Sequence, residues 1–207
     1  MDALIVVDIQ NDFLPGGALA VPRGDETIPV VNAIQAHFGL VVATQDWHPA
    51  GHASFASSHP GKSVYDAVTI DGVEQILWPD HCVQGSRGAG LARAFNTNRV
   101  EAIFRKGTDP AIDSYSAFYD NARRKSTGLE GYLKWKKVDR VVLAGLAADF
   151  CVSYSIMDAL AMGFSAVLIK DATRAISEDG FRTAEKIIRE RGGSVVFSES
   201  LPALVKS

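Results

Sequence analysis

The chain has only two cysteines, Cys82 and Cys151, among its 207 residues. That is too few for a disulfide framework in a protein of this size, so stability must come from a packed core, and each thiol has to be weighed as a reactive group. An excess of one charge is also missing. The 21 Lys and Arg residues face 24 Asp and Glu, a formal net charge of -3, which gives no electrostatic case for nucleic acid or an anionic membrane. A small molecule is the expected partner. No apolar run approaches the roughly 18 residues that a membrane-spanning helix needs, and the opening MDALIVVDIQNDF lacks the basic segment and long apolar stretch of a secretory signal. The expectation is a cytoplasmic protein. Low-complexity stretches, internal repeats and linkers are absent too, so a single domain over residues 1–207 is expected.

What is present is an apolar fraction of 47%, distributed in short β-branched runs. These predict six strands, at Ala3 to Val7, Leu40 to Thr44, Glu101 to Phe104, Arg140 to Ala144, Ser165 to Ile169 and Ser194 to Phe197. Most are continuously hydrophobic rather than alternating, the pattern of strands covered on both faces in a parallel sheet. Helices are expected near Thr27 to Phe38, Arg87 to Phe95, Gly128 to Lys136, Cys151 to Met162 and Glu178 to Arg191, with glycine stops at Gly163 and Gly192. Alternation of the two element types predicts a single-domain α/β fold: a doubly wound, mainly parallel six-stranded sheet with helices on both faces. The stretch from Trp47 to Pro79 carries three histidines and weak periodicity. It reads as a long loop region with one small hairpin, and such loops in compact domains usually carry function. The basic groups Arg123 to Lys125 and Lys134 to Lys137 read as solvated helix faces.

In open α/β sheets, ligands bind beyond the carboxyl ends of the strands. Asp8 ends the first predicted strand, Asp46 and His48 follow the second, Lys106 follows the third, and Cys151 comes shortly after the fourth. Cys151 reads two ways. It is a small core residue, as most free cysteines are, or a nucleophile at a helix N-terminus, where the dipole favours a thiolate and backbone N–H groups can hold an oxyanion. Cys82, in WPDHCVQG, has no helix after it and reads as structural. Asp8 alone fits a turn cap and Lys106 alone a surface lysine. At three ends of one sheet, however, an aspartate, a lysine and a cysteine can form a catalytic set.

A third cluster comprises Asp46, His48, His52 and, farther on, His81. Carboxylate and imidazole ligands suit zinc, iron or manganese, and two or three protein ligands leave open positions, as a catalytic site needs. Asp46 and His48 are two apart, so an extended segment points both to one side. The alternative is a histidine-rich loop without metal. His37 and His59 have no comparable neighbours and receive no role.

Taken together, VVDIQNDFLPGGALAV, TQDWHPAGHASF, WPDHCVQG, KGTDPAIDSYSAF and GLAADFCV resemble the nicotinamidase branch of the isochorismatase-like cysteine hydrolases over nearly the full chain. The resemblance implies a triad of Asp8, Lys106 and Cys151, and one divalent metal ion, zinc first with iron or manganese as alternatives, held by Asp46, His48 and His81. Relatives differ in whether the histidine at the position of His52 ligates, so His52 is a possible further ligand. It further implies a cis peptide between Leu146 and Ala147, an oxyanion hole from the amides of Ala147 and Cys151, and a slot lined by Phe13, Trp78 and Tyr115 for a flat ring. Phe118, Phe164 and Phe181 are assigned to the core. The implied reaction is hydrolysis of nicotinamide to nicotinate and ammonia through a cysteine thioester, with pyrazinamide as a further substrate. The alternatives are another amidohydrolase of the same superfamily, of N-carbamoyl or isochorismatase type, or a catalytically silent metal-binding protein. Homo-oligomers are common among such domains, and no sequence feature specifies one.

Overall fold

The structure, a computed structural model, describes residues 1–205. Its centre is a six-stranded sheet of β1 (Asp2–Val7), β2 (Leu40–Asp46), β5 (Val100–Lys106), β6 (Arg140–Leu146), β7 (Ser165–Arg174) and β8 (Ser194–Val196), in the order β5-β2-β1-β6-β7-β8. Every neighbouring pair is parallel. Period-two alternation splits β1 between two cores. Leu4 and Val6 join Ile28, Val31 and Ile34 of helix α1 (Thr27–Ile34) on one face. Ala3, Ile5 and Val7 join residues of α2 (Leu129–Trp135), α3 (Ser153–Ala161) and α4 (Glu178–Glu190) on the other. Burial on both faces explains why the central strands read as unbroken apolar runs. The short helix α5 (Leu201–Leu204) returns Leu201 to the α1 side. Among the described residues, no helix is long and apolar enough to cross a membrane.

The strands β3 (Ala67–Ile70) and β4 (Val73–Ile76) form a separate antiparallel hairpin inside the expected loop region. Its turn residues, Asp71 and Gly72, both have positive φ, the conformation that lets a two-residue turn follow the twist of its strands.

Three local expectations need correction. The stretch Arg87 to Phe95 is not a helix. Its backbone is used elsewhere: Gly88 and Gly90 carbonyls accept from Asp12 and Asn11, and Ala92 N–H donates to Ile9. A methyl group on Gly88 would also meet the Asp12 carboxylate at 2.0 Å. The Arg123 to Lys125 group lies in a turn, where Arg123 pairs with Asp158 and Arg124 with Asp71. Finally, α3 begins at Ser153, and Cys151 sits two residues earlier in a wide π turn, Ala148–Val152, closed by Val152 N–H to Ala147 O at 3.1 Å.

The sheet order places a switch point at β1, where connections turn to opposite sides, and the strand ends flanking that point open into one crevice. Gly145, the penultimate residue of β6, has φ +114°, and a methyl group there would lie 2.0 Å from the Val7 carbonyl oxygen. Gly145→Ala is expected to cost about 3 kcal/mol of folding stability through backbone collision and strain. Urea unfolding checks this, and a wild-type midpoint would contradict it.

Candidate active site

The crevice gathers one residue from each of the four strand ends around the switch point. Lys106 closes β5, and its side chain is fully buried. Its Nζ lies 2.9 Å from Asp8 Oδ2 and 3.0 Å from Asp46 Oδ1, donates to Ser114 O at 2.9 Å and reaches Cys151 Sγ at 3.4 Å. A buried ammonium is tolerable only when paired and hydrogen-bonded in this way. Burial works against its charge, but Asp46 and Asp8 outweigh it and hold the ammonium well above its ordinary pKa.

Asp8 follows β1 with φ +47°. Thr44 of β2 receives the Asp8 N–H at 3.2 Å and donates its hydroxyl to Asp8 Oδ1 at 2.6 Å, leaving Oδ2 for the lysine. Burial raises the Asp8 carboxyl above the usual carboxylate range despite the opposing pull of Lys106. Burial also pushes the Cys151 thiol well up, outweighing Lys106. Removal from water is the largest influence at this position. Acid and thiol are therefore both shifted toward their protonated forms. The peptide bond between Leu146 and Ala147 is cis, and Ala147 and Cys151 both line the cavity.

Asp46, His48 and His81 are buried and bring their ligand atoms within 4.8 Å of one another. Each ring is turned by its second nitrogen. His48 Nδ1 bonds Gly107 O at 3.0 Å, and His81 Nδ1 bonds Pro79 O at 2.8 Å. The carbonyl partners call for N–H at Nδ1, which leaves Nε2 of both rings as a lone-pair donor facing Asp46 Oδ2, at 3.2 and 3.6 Å. His48 Nε2 is buried without a hydrogen-bond partner. Burial lowers the His48 imidazole, but Asp46 and then Asp113 override it and raise it to about 9, so this corner attracts positive charge. Asp46 itself, though burial pushes it up, is held well below its ordinary value by His48 and Lys106. The donors and their orientation fit a divalent metal. His52 lies outside this trio; its Nδ1 meets Ser54 Oγ at 2.8 Å, its Nε2 has no hydrogen-bond partner, and burial lowers its pKa.

The Cys151 thiol and His81 line a cavity of about 330 Å³, counting its open mouth. Phe13, Trp78 and Tyr115 line it, and Phe118 and Phe164 are core residues. Phe181 only packs against the core edge. Trp78 Nε1 donates to Tyr115 Oη at 3.1 Å, which locks the two rings edge to face.

Several contributors escaped the sequence reading. Phe150 completes the aromatic wall, with its centroid 4.9 Å from Trp78. Gln10 accepts from the Asp46 N–H at 2.7 Å and donates to Asp46 O at 2.8 Å, fixing the end of β2. Asp113, 3% exposed, faces the cavity and lies 3.8 Å from His48 Nε2. Gln10 and Asp113 both stand inside motifs already quoted, yet nothing in their spacing distinguishes a site residue from a solvated one.

A family model described as Isochorismatase domain matches residues 2–200. The chain belongs to the isochorismatase family. Within that family it is 46% identical over 179 residues to a nicotinamidase of Escherichia coli (strain K12), covering 84% of each chain. Among solved structures it is similar to a nicotinamidase and pyrazinamidase of Acinetobacter baumannii, at 42% identity and a TM-score of 0.94 over 97% of both chains. It is also similar to a pyrazinamidase of Pyrococcus horikoshii in complex with zinc, at 36% identity and a TM-score of 0.79 over 95% of this chain and 98% of that one.

Gly107, at φ +62°, follows β5 directly against the His48 ring; a methyl group there would meet His48 Cε1 at 2.4 Å and Asp46 Oδ1 at 2.9 Å. Gly107→Ala is expected to weaken divalent-metal affinity roughly 10- to 100-fold by turning the His48 ring. A competitive chelator titration measures it, and unchanged affinity would show that the ring tolerates the displacement.

Proposed function

We propose that this chain is a nicotinamidase, hydrolysing nicotinamide to nicotinate and ammonia through a thioester on Cys151, and that it accepts pyrazinamide as well. The observation that carries the reading is the single buried Lys106 Nζ, within 3.4 Å of Asp8, Asp46 and Cys151 together, beside an aromatic-walled cavity that Cys151, Asp46 and the His81 imidazole line. A flat heteroaromatic amide matches that layout: ring between Phe13, Trp78 and Tyr115, amide carbon toward the sulfur.

In the acylation half, Cys151 Sγ attacks the amide carbon while its proton passes to Asp8. The oxyanion is held by the N–H groups of Ala147 and Cys151. Asp8 returns the proton to the nitrogen, the C–N bond breaks, and ammonia leaves a thioester. In the second half Asp8 takes a proton from an attacking water, the C–S bond breaks, and the proton goes back to the sulfur as the acid departs. A carboxyl raised by burial suits both directions of transfer better than one in free water, and Asp8, Lys106 and Cys151 titrate as a coupled unit. Lys106 holds the Asp8 carboxylate and faces the developing thiolate. Asp46, His48 and His81 would hold a divalent metal, zinc first, with iron or manganese as alternatives; once bound it would supply a Lewis acid that orients the ring nitrogen. The same reading places this activity in the cytosol, in one domain over residues 1–207, with a small molecule rather than nucleic acid or membrane as partner.

Ammonia release from nicotinamide by the purified protein tests the proposal. Cys151→Ala and Asp8→Asn are each expected to lower kcat by at least about a thousandfold, and removal of metal by a chelator is expected to abolish turnover reversibly. A folded, zinc-loaded protein that leaves nicotinamide and pyrazinamide intact would overturn the assignment.

A further inference from the structure

The Asp46 carboxylate belongs to two clusters at once. Its Oδ1 faces Lys106 Nζ at 3.0 Å, while its Oδ2 faces the Nε2 atoms of His48 and His81. Lys106 in turn touches Cys151 Sγ at 3.4 Å. None of these residues exceeds 7% exposure. Water therefore screens little between them, and charges a few ångströms apart act several times more strongly than on the surface.

The charged groups that act on the thiol are Lys106 on one side and Asp8, Asp46 and Asp113 on the other. Carboxylates outnumber the ammonium around the sulfur, and the His48 imidazole meets only the Oδ2 side of Asp46, at 3.2 Å. A divalent cation against Asp46, His48 and His81 would bring more positive charge to Asp46 than one protonated imidazole can, and it would leave Lys106 less divided between Asp46 and the sulfur.

We propose, resting on the reading that the Asp46, His48 and His81 cluster holds a metal, that Asp46 is a positioning residue through which metal occupancy sets the nucleophilicity of Cys151. The metal then acts on the enzyme before any substrate arrives, by a route separate from holding the ring. Metal-free protein carries a sluggish thiol even where its fold is intact.

The test needs no amide. Chelator-treated protein and the same protein reloaded with zinc are alkylated with iodoacetamide from about pH 6 to about pH 9, zinc per chain is quantified, and labelling is located by mass spectrometry. Zinc is expected to raise the Cys151 rate at neutral pH by about tenfold, with the profile displaced toward acid by about one pH unit. Cys82, fully buried, stays unlabelled in both samples. Metal-free Asp46→Asn, which deletes the opposing charge, should react faster than metal-free wild type. In His81→Ala, where the Asp46 to Lys106 contact persists, added zinc should leave the rate at its metal-free level. Stoichiometric zinc with an unchanged wild-type profile overturns the proposal and leaves the metal reading standing. Failure to retain zinc overturns both.

Discussion

A lysine ammonium taken out of water loses several kcal/mol of hydration that must be returned by its surroundings. In this protein the surroundings are Asp8 and Asp46, the Ser114 carbonyl and the Cys151 sulfur. The dependence runs both ways, because two buried carboxylates at neighbouring strand ends would repel one another without the cation. Asp8 can face the thiol and Asp46 the histidines only because Lys106 lies between them. The strand order β5-β2-β1-β6 is the simplest way to deliver cation, carboxylate, carboxylate and thiol to adjacent positions.

Around that ion cluster the fold spends little on regular structure. Orientation comes instead from single backbone groups: a Gly107 carbonyl for His48, a Pro79 carbonyl for His81, a glutamine clamp on Asp46. Such partners are rigid, and they fix the ring tautomer without adding charge. The aromatic wall is built in the same economical manner. Trp78 and Tyr115 share a hydrogen bond, and Gln75 from the hairpin reaches the same hydroxyl at 2.9 Å, so the slot is tied to β4 as well as to the sheet.

How much of this was legible follows from what each feature depends on. Strand positions depend on burial on both faces, which writes itself into the chain as unbroken apolar runs; all six were found, with ends displaced by a few residues, chiefly at β7. The chemical residue types were legible for a related reason, since an aspartate, lysine or cysteine beside an apolar run marks the edge of a buried strand. The segment Arg87 to Phe95 misled because its spacing suits a helix while its glycines serve a tight approach to Asp12, a contact with a distant loop. Gln10, Thr44 and Asp113 were invisible as site residues because their roles consist of hydrogen bonds across the sheet or cavity.

The separations along the chain carry a consequence for how the enzyme comes into being. Lys106 meets Asp46 across 60 residues and Cys151 across 45, and β5, which delivers it, is an edge strand docked only on β2. Contacts of such range close late, because the loop entropy must be met before they contribute. An assembling chain thus passes through stages in which its sulfur has no ammonium beside it and its two carboxylates have no counter-ion. Chemical competence arrives with the closing of the edge, and a nascent or half-built molecule is disarmed by the same geometry that arms the finished one.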